Sequence, residues 1–224
     1  MQESQTAILF FSRSLNDEFQ AKGFGLSFHL FERFYRFQQK KTLSTLKRSG
    51  LSVFESYSDH QVGDSFGERL HYDLQSIKNK GFRSVIIVGN DTPELDKNDL
   101  ATAERYLNQG IPVLGEDERG GAYLMAFPFD HINLNLLNGI EWHSKQVFKQ
   151  LKHLLAPSYE LDRKKDLNTK VDLKEILKGG SISRGVRSFF RSLFKTQKKS
   201  FPEIFAKALL QLSTTSRRGP PTLA

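Results

Sequence analysis

Three short segments of this 224-residue chain carry side chains suited to phosphate or metal chemistry. Gly89-Asn90-Asp91-Thr92-Pro93-Glu94-Leu95 follows the apolar run Val85-Ile-Ile-Val88. A carboxylate there, beside a glycine that lets a ligand approach the backbone, suits a divalent Mg²⁺ or Mn²⁺ ion, which takes carboxylate and water oxygens and can bridge nucleotide phosphates. The same residues serve equally as a turn around Thr92-Pro93. In Gln61-Val-Gly63-Asp64-Ser65-Phe66-Gly67-Glu68-Arg69, two glycines and a helix N-terminus could cradle an anion, with Arg69 placed for bidentate phosphate contact. Asp64 or Ser65 as an ordinary helix cap explains that stretch equally well. In Arg119-Gly120-Gly121-Ala122-Tyr123-Leu124 a double glycine before a strand lets a ligand lie on the backbone, and a simple bend is the alternative.

These segments need a frame. Thr6-Ala-Ile-Leu-Phe-Phe11 is a continuous apolar run, the pattern of a strand buried on both faces. Residues 52–57, 83–88, 111–114 and 122–127 read as further strands. Leu26, Leu30, Phe34, Phe37, Leu43 and Leu46 recur at helical spacing, as do Phe66, Leu70, Leu74 and Ile77 before Gly81. Asp96 is placed to cap a helix carrying Leu100, Ala103 and Leu107, which Gly110 ends. Alternating strands and helices predict a three-layer α/β sheet with right-handed crossovers. In such sheets ligands bind beyond the carboxyl ends of the strands, where the polar loops after Phe11, Tyr57, Val88 and Leu114 lie.

Composition narrows the chemistry. The chain has no cysteine, which excludes disulfides, thiolate zinc sites, iron–sulfur clusters and cysteine nucleophiles. Its six histidines form no His-x-x-x-His pair, and no Gly-x-Ser-x-Gly elbow supports a hydrolase triad. The apolar runs at Ala7 to Phe11 and Val85 to Val88 are far short of the roughly 20 residues that span a bilayer, and no secretory apolar region precedes them. A cytoplasmic location is expected, possible attachment to the inner face of the membrane aside. Trp142 reads as a core or rim aromatic.

Charge divides the chain. Residues 1–162 hold 18 Lys+Arg against 21 Asp+Glu, whereas residues 163–224 hold 15 against 4, so the net +8 resides in the tail. An acidic body does not have the footprint of a nucleic-acid-binding protein, and nucleic acid is not an expected partner.

Five motifs in register then form a pattern: Gln61-x-Gly-Asp-x-x-Gly-Glu-Arg69, Gly89-x-Asp91-x-Pro93-x-Leu95, Gly120-Gly121-x-Tyr-Leu124, Trp142, and Glu160-Leu-Asp162-x-x-x-Asp166-Leu167. Over about residues 6–168 the chain resembles the bacterial glycosyltransferase-like family often called radical-SAM/selenodomain-associated transferases, related in fold to molybdenum-cofactor guanylyltransferases. The resemblance implies a GT-A nucleotide-diphospho-sugar transferase fold, a nucleotide-sugar donor, a divalent Mg or Mn ion, and a small-molecule or lipid-linked acceptor. It makes Asp91 and Asp162 the metal acids. Lys22, Gly63, Asp64, Arg69, Gly89, Asn90, Arg119, Gly120 and Gly121 become the donor-binding set. The departures are that only Lys22 remains of the family's Lys-Thr-Arg-Leu run, that Arg119 replaces an acid, and that the Pro after the preceding strand is missing. A metal-dependent glycosyltransferase is therefore expected, with a nucleotidyltransferase on the same fold, or a catalytically weakened nucleotide-binding or scaffold module, as alternatives.

Residues 169–212 are expected to form a basic helical extension and 213–224 a disordered end. Val186, Phe189, Phe190, Leu193 and Phe194 make an apolar stripe flanked by Arg184, Arg187, Arg191 and Lys195. Ser200-x-x-Glu203 with Pro202 opens a second predicted helix, giving helices over about 184–195 and 201–212. Packing of the stripes on the body or on each other is the leading reading of this tail, with attachment to an anionic membrane surface next and dimerisation or nucleic acid behind it.

Overall fold

The structure, a computed structural model, describes residues 5–178, 185 and 187–192. The chain divides into a unit of Met1–Ser181 and a unit of Ile182–Ala224. In the first, the strands β1 (Thr6–Ser12), β2 (Ser52–Tyr57), β3 (Ser84–Val88), β4 (Val113–Asp117), β5 (Ala122–Pro128) and β6 (Tyr159–Lys164) form one sheet in the order β2-β1-β3-β5-β4-β6. Every adjacent pair is parallel except those made by β5, which alone runs against the rest.

Among the described residues this unit has six α-helices: α1 (Leu15–Ala21), α2 (Phe28–Lys47), α3 (Phe66–Asn79), α4 (Lys97–Leu107), α5 (Val147–Leu154) and α6 (Lys170–Lys178). A 3₁₀ helix covers Leu134–Gly139. Strand alternation sorts the core into two layers. Ala7, Leu9, Phe11, Val85, Ile87, Met125 and Phe127 pack with Leu70, Leu74 and Ile77 of α3 and Phe148 and Leu151 of α5. Ile8, Phe10, Ile86, Val88, Leu124 and Ala126 face the other way, onto Leu46 of α2 and Leu100, Ala103 and Leu107 of α4. Successive side chains of a strand point to opposite faces, so the apolar runs of β1, β3 and β5 fill both layers. The fold is the expected three-layer α/β/α arrangement.

Caps fix the helix starts at the ligand-facing edge. Ser65 caps α3 and Asp96 caps α4, each in a reciprocal capping box, with Glu68 and Asp99 respectively. Ser14 caps α1, a helix not expected from the sequence. A left-handed run at Gly23, Phe24 and Gly25 ends α1 and turns the chain into α2. Phe24, non-glycine at φ 52°, is held in this sparsely populated region by burial against Phe31 and Phe34.

In the second unit, residues 185 and 187–192 are helical and Phe190 is fully buried; the rest of the expected helix over about 184–195 lies outside the described residues. The expected helix over 201–212 and disordered end at 213–224 lie outside the described residues. Among the described residues no helix is long and apolar enough to cross a membrane.

Candidate active site

A cleft of about 780 Å³ opens beyond the carboxyl ends of β1, β2 and β3, within the usual size range of small-molecule sites. Loops after β1, β2, β3 and β6, the turn between β4 and β5, and the segment from Trp142 to Val147 enclose it.

Behind its lining, a buried cation joins α1 to the loop after β3. Lys22, the C-cap of α1, places Nζ 2.7 Å from Glu18 Oε1 and 2.7 Å from Asp91 Oδ1 in the loop after β3. Its side chain is only 5% exposed. Burial works against the ammonium, but the Asp91 and Glu18 carboxylates outweigh it and hold the Lys22 pKa above its ordinary value. Burial, and then the charge of Asp91, push Glu18 upward.

Asp166 is the second cleft carboxylate beside Asp91. The Leu167 amide donates to the Asp91 carbonyl at 2.8 Å, and the Thr92 hydroxyl donates to the Asp166 carboxylate, so the chain leaving β6 is laid along the loop after β3. Although part of the residue meets solvent, the Asp166 carboxyl is packed among protein atoms. That burial, reinforced by the charge of Asp91, raises its pKa to about 7.

The structure does not bring the expected pair Asp91 and Asp162 together on the cleft. Asp162 is exposed in the middle of the edge strand β6, off the cleft lining, and its contact with the site side of the sheet is a backbone carbonyl accepting from Tyr123 Oη at 3.0 Å. Strand β6 continues to Lys164, and the chain first reaches the cleft at Asp166, four residues beyond Asp162. A ligand-bearing residue belongs past the end of its strand, and Asp162, which the resemblance pointed to, lies within one.

The other expected site residues separate into two groups. Arg69, Gly89, Asn90, Arg119 and Gly121 line the cleft. Gly63, Asp64 and Gly120 do not, and each has a local structural task. Gly63 has φ 131°, and a Cβ there would press on Glu68 and Arg69. The Asp64 amide donates to Glu68 Oε2 at 2.9 Å within the α3 cap, so the capping alternative holds for Ser65 and its neighbours. Gly120 has φ 86°, and its Cβ would collide with the Lys145 carbonyl.

Two cleft atoms are buried without a hydrogen-bond partner among the described residues, Asn90 Oδ1 and Arg69 Nε. Buried polar atoms are normally paired, so each is suited to a polar ligand. Arg13, Asp17 and Ser58, not singled out from the sequence, also face the cleft. Asp17 accepts from the Ser58 and Ser14 hydroxyls, which lower its pKa, and the nearby Arg13 and Arg69 act in the same direction. Ser14-Leu-Asn-Asp17, a helix cap followed by acids, was the available sequence signal for this corner.

On the opposite wall the turn after β4 is built on Asp117, whose Oδ1 accepts from the Arg119 amide at 2.6 Å and the Gly121 amide at 2.9 Å. Trp142 stands on the rim with its ring 4.8 Å from that of Phe66, and Trp142 Nε1 donates to the Leu137 carbonyl at 3.0 Å.

Among solved structures, the "putative nucleotide-diphospho-sugar transferase" of Desulfovibrio desulfuricans G20 superposes with a TM-score of 0.72 at 20% identity, over 86% of this chain and 98% of that one. The two chains share one fold. The homologue of Rv0371c from Mycobacterium sp. strain JC1 gives a TM-score of 0.48 at 13% identity, over 84% and 98% of the two chains. A cytidylyltransferase from Leptospira borgpetersenii gives 0.37 at 14%, over 90% and 97%. Those two similarities are too weak to carry an argument. A family model described as "Uncharacterized protein conserved in bacteria (DUF2064)" matches residues 37–144, from within α2 to the Trp142 rim. No curated protein matches the sequence.

Proposed function

We propose that the cleft binds a nucleoside-diphospho-sugar and transfers its sugar to an acceptor hydroxyl. The observation that carries this reading is the convergence of Lys22, Asp91 and Asp166 at the carboxyl edge of the sheet. The fold shared with the Desulfovibrio protein, whose printed name is that of such a transferase, supports it. The nucleoside fits the side of the cleft formed by Ser12, Ser58 and Gln61, and Arg13 and Arg69 supply positive charge to the diphosphate.

The donor set suits a divalent ion. Among the described residues no three His, Asp or Glu side chains are grouped to hold one, so Asp91 and Asp166 would share it with substrate phosphates and water, the usual manner of Mg²⁺. When bound, the ion would offset the charge that builds on the leaving diphosphate. Asp91 and Asp166 would hold the ion at that end of the donor, and Lys22 keeps the Asp91 carboxylate in place. In the transfer, the acceptor oxygen forms a bond to the anomeric carbon while the bond from that carbon to the diphosphate oxygen breaks. The electron pair leaves with the nucleoside diphosphate, and the acceptor proton passes to a cleft carboxylate or water.

Thermal-shift titrations with sugar nucleotides of each common base, and with the matching triphosphates, each with Mn²⁺, test the reading. Stabilisation by at least one sugar nucleotide beyond its triphosphate is expected. A preference for triphosphates would instead make the protein a nucleotidyltransferase, and no response to either would remove nucleotide chemistry.

A further inference from the structure

One basic element of the cleft is not used by the donor. Arg119 lines the wall opposite Arg13 and Arg69, with its side chain 46% exposed. Two devices aim it. Asp117 fixes its backbone through the bonds to the amides of Arg119 and Gly121. Asp172, in the first turn of α6, places Oδ1 2.5 Å from Arg119 Nη2.

Asp172 is almost fully buried, and its other oxygen accepts from the Asn168 amide at 3.0 Å and the Thr169 amide at 2.6 Å. Its charge is thus spread over the start of α6 as well as over Arg119. A guanidinium has five N–H donors, so one contact to Asp172 leaves the rest of the fork for a ligand. Lys145 reaches the same wall, because the Phe148 amide donates to the Gly120 carbonyl at 2.9 Å and lays the Lys145 segment against the Arg119 turn. Lys145 is exposed and makes no ion pair among the described residues.

We propose that Arg119 and Lys145 form a subsite for an anionic group of the acceptor, a phosphate monoester or a carboxylate, and that Asp172 is the positioning residue that presents Arg119 to it. This rests on the donor reading above, in which Arg13 and Arg69 already answer the charge of the diphosphate. A neutral acceptor would leave the exposed Arg119 donors and the Lys145 ammonium to water alone. Planar bidentate recognition of phosphate or carboxylate is what Arg performs better than Lys.

The test uses calorimetry on the full chain saturated with Mn²⁺ and the nucleoside diphosphate that binds best, titrated with glucose 6-phosphate, glucuronate and glucose. At least one anionic sugar is expected to bind more than about tenfold tighter than glucose, the scale of a lost charge-assisted contact. Arg119→Ala should abolish that ratio, Arg119→Lys should restore part of it, and Asp172→Asn should weaken it severalfold while the thermal midpoint stays above the assay temperature. Circular dichroism on each variant separates loss of binding from loss of fold. Anionic and neutral sugars binding alike, or discrimination that survives in Arg119→Ala, would overturn the proposal alone. Failure of every nucleoside diphosphate to bind would remove the donor reading and this inference with it.

Discussion

Lys22 Nζ lies 2.7 Å from Asp91 Oδ1, joining the end of α1 to the loop after β3 through an ammonium that also meets Glu18. Removing one partner of a buried ion pair leaves the others desolvated and unpaired, which costs roughly 3 kcal/mol. Lys22→Ala should show a loss of that order in urea unfolding. Adding Glu18→Ala should recover part of it, and strictly additive effects of the two substitutions would contradict the coupling.

Asp166 gives stability a pH dependence of defined sign. Its folded pKa of about 7 lies above the model carboxylate value of 3.8, so between those values the folded chain holds a proton that the unfolded chain releases. Stability from this group is full below about pH 4, falls as pH rises to about 7, and is level above, with a total drop of at most about 4 kcal/mol. Asp166→Asn keeps a neutral side chain beside Thr92 at every pH. It should flatten that slope and stabilise the metal-free protein at pH 8, as read by denaturant midpoints across pH. An unchanged slope would show that the carboxyl is ionised throughout.

Gly120 and Gly89 should respond very differently to alanine. At Gly120, φ is 86° and a Cβ meets the Lys145 carbonyl, so Gly120→Ala should cost roughly 2–3 kcal/mol through backbone strain and overlap. At Gly89 the nearest atom to an added Cβ is 3.9 Å away, and Gly89→Ala should change stability by less than about 0.5 kcal/mol. Thermal midpoints of the two variants compare them directly.

Much of the frame was legible in the residues, because β1, β3 and β5 are apolar on both faces and α3 and α4 carry plain caps. Strand β6 was not. Tyr-Glu-Leu-Asp-Arg-Lys is an edge strand with mainly exposed side chains, and it holds its place by pairing with β4, a non-local contact that leaves no apolar pattern. The expectation of Asp162 came from the resemblance alone, with no strand in the reading to show that Asp166, rather than Asp162, lies past its end. Helix α1 was hidden for a related reason: of its seven residues only Glu18 is buried, and the ion pair of Glu18 with Lys22 becomes meaningful only once Asp91 is brought to it. Arg69 and Asp91 were recoverable because their loops follow unambiguous strands.

Trp142 is the chain's one tryptophan and stands on the cleft rim, so its emission reports occupancy of the site. Saturable change in fluorescence is expected when the cleft fills, with the same midpoint as calorimetry. Trp142→Phe should lose the signal while keeping ring packing on Phe66. A ligand that binds by calorimetry without altering Trp142 emission would lie outside this cleft.

The most direct test of the account is calorimetric titration of the protein with UDP, GDP, CDP and ADP, with Mn²⁺ and with chelator, for the native chain and for Asp91→Asn. One-to-one binding of at least one diphosphate is expected, more than about tenfold tighter with Mn²⁺ than without, with the metal enhancement lost in Asp91→Asn. Binding that is equally tight in chelator, or that keeps its Mn²⁺ enhancement in Asp91→Asn, would contradict the assignment of Asp91 and Asp166 as the metal-holding pair of a nucleotide-sugar site.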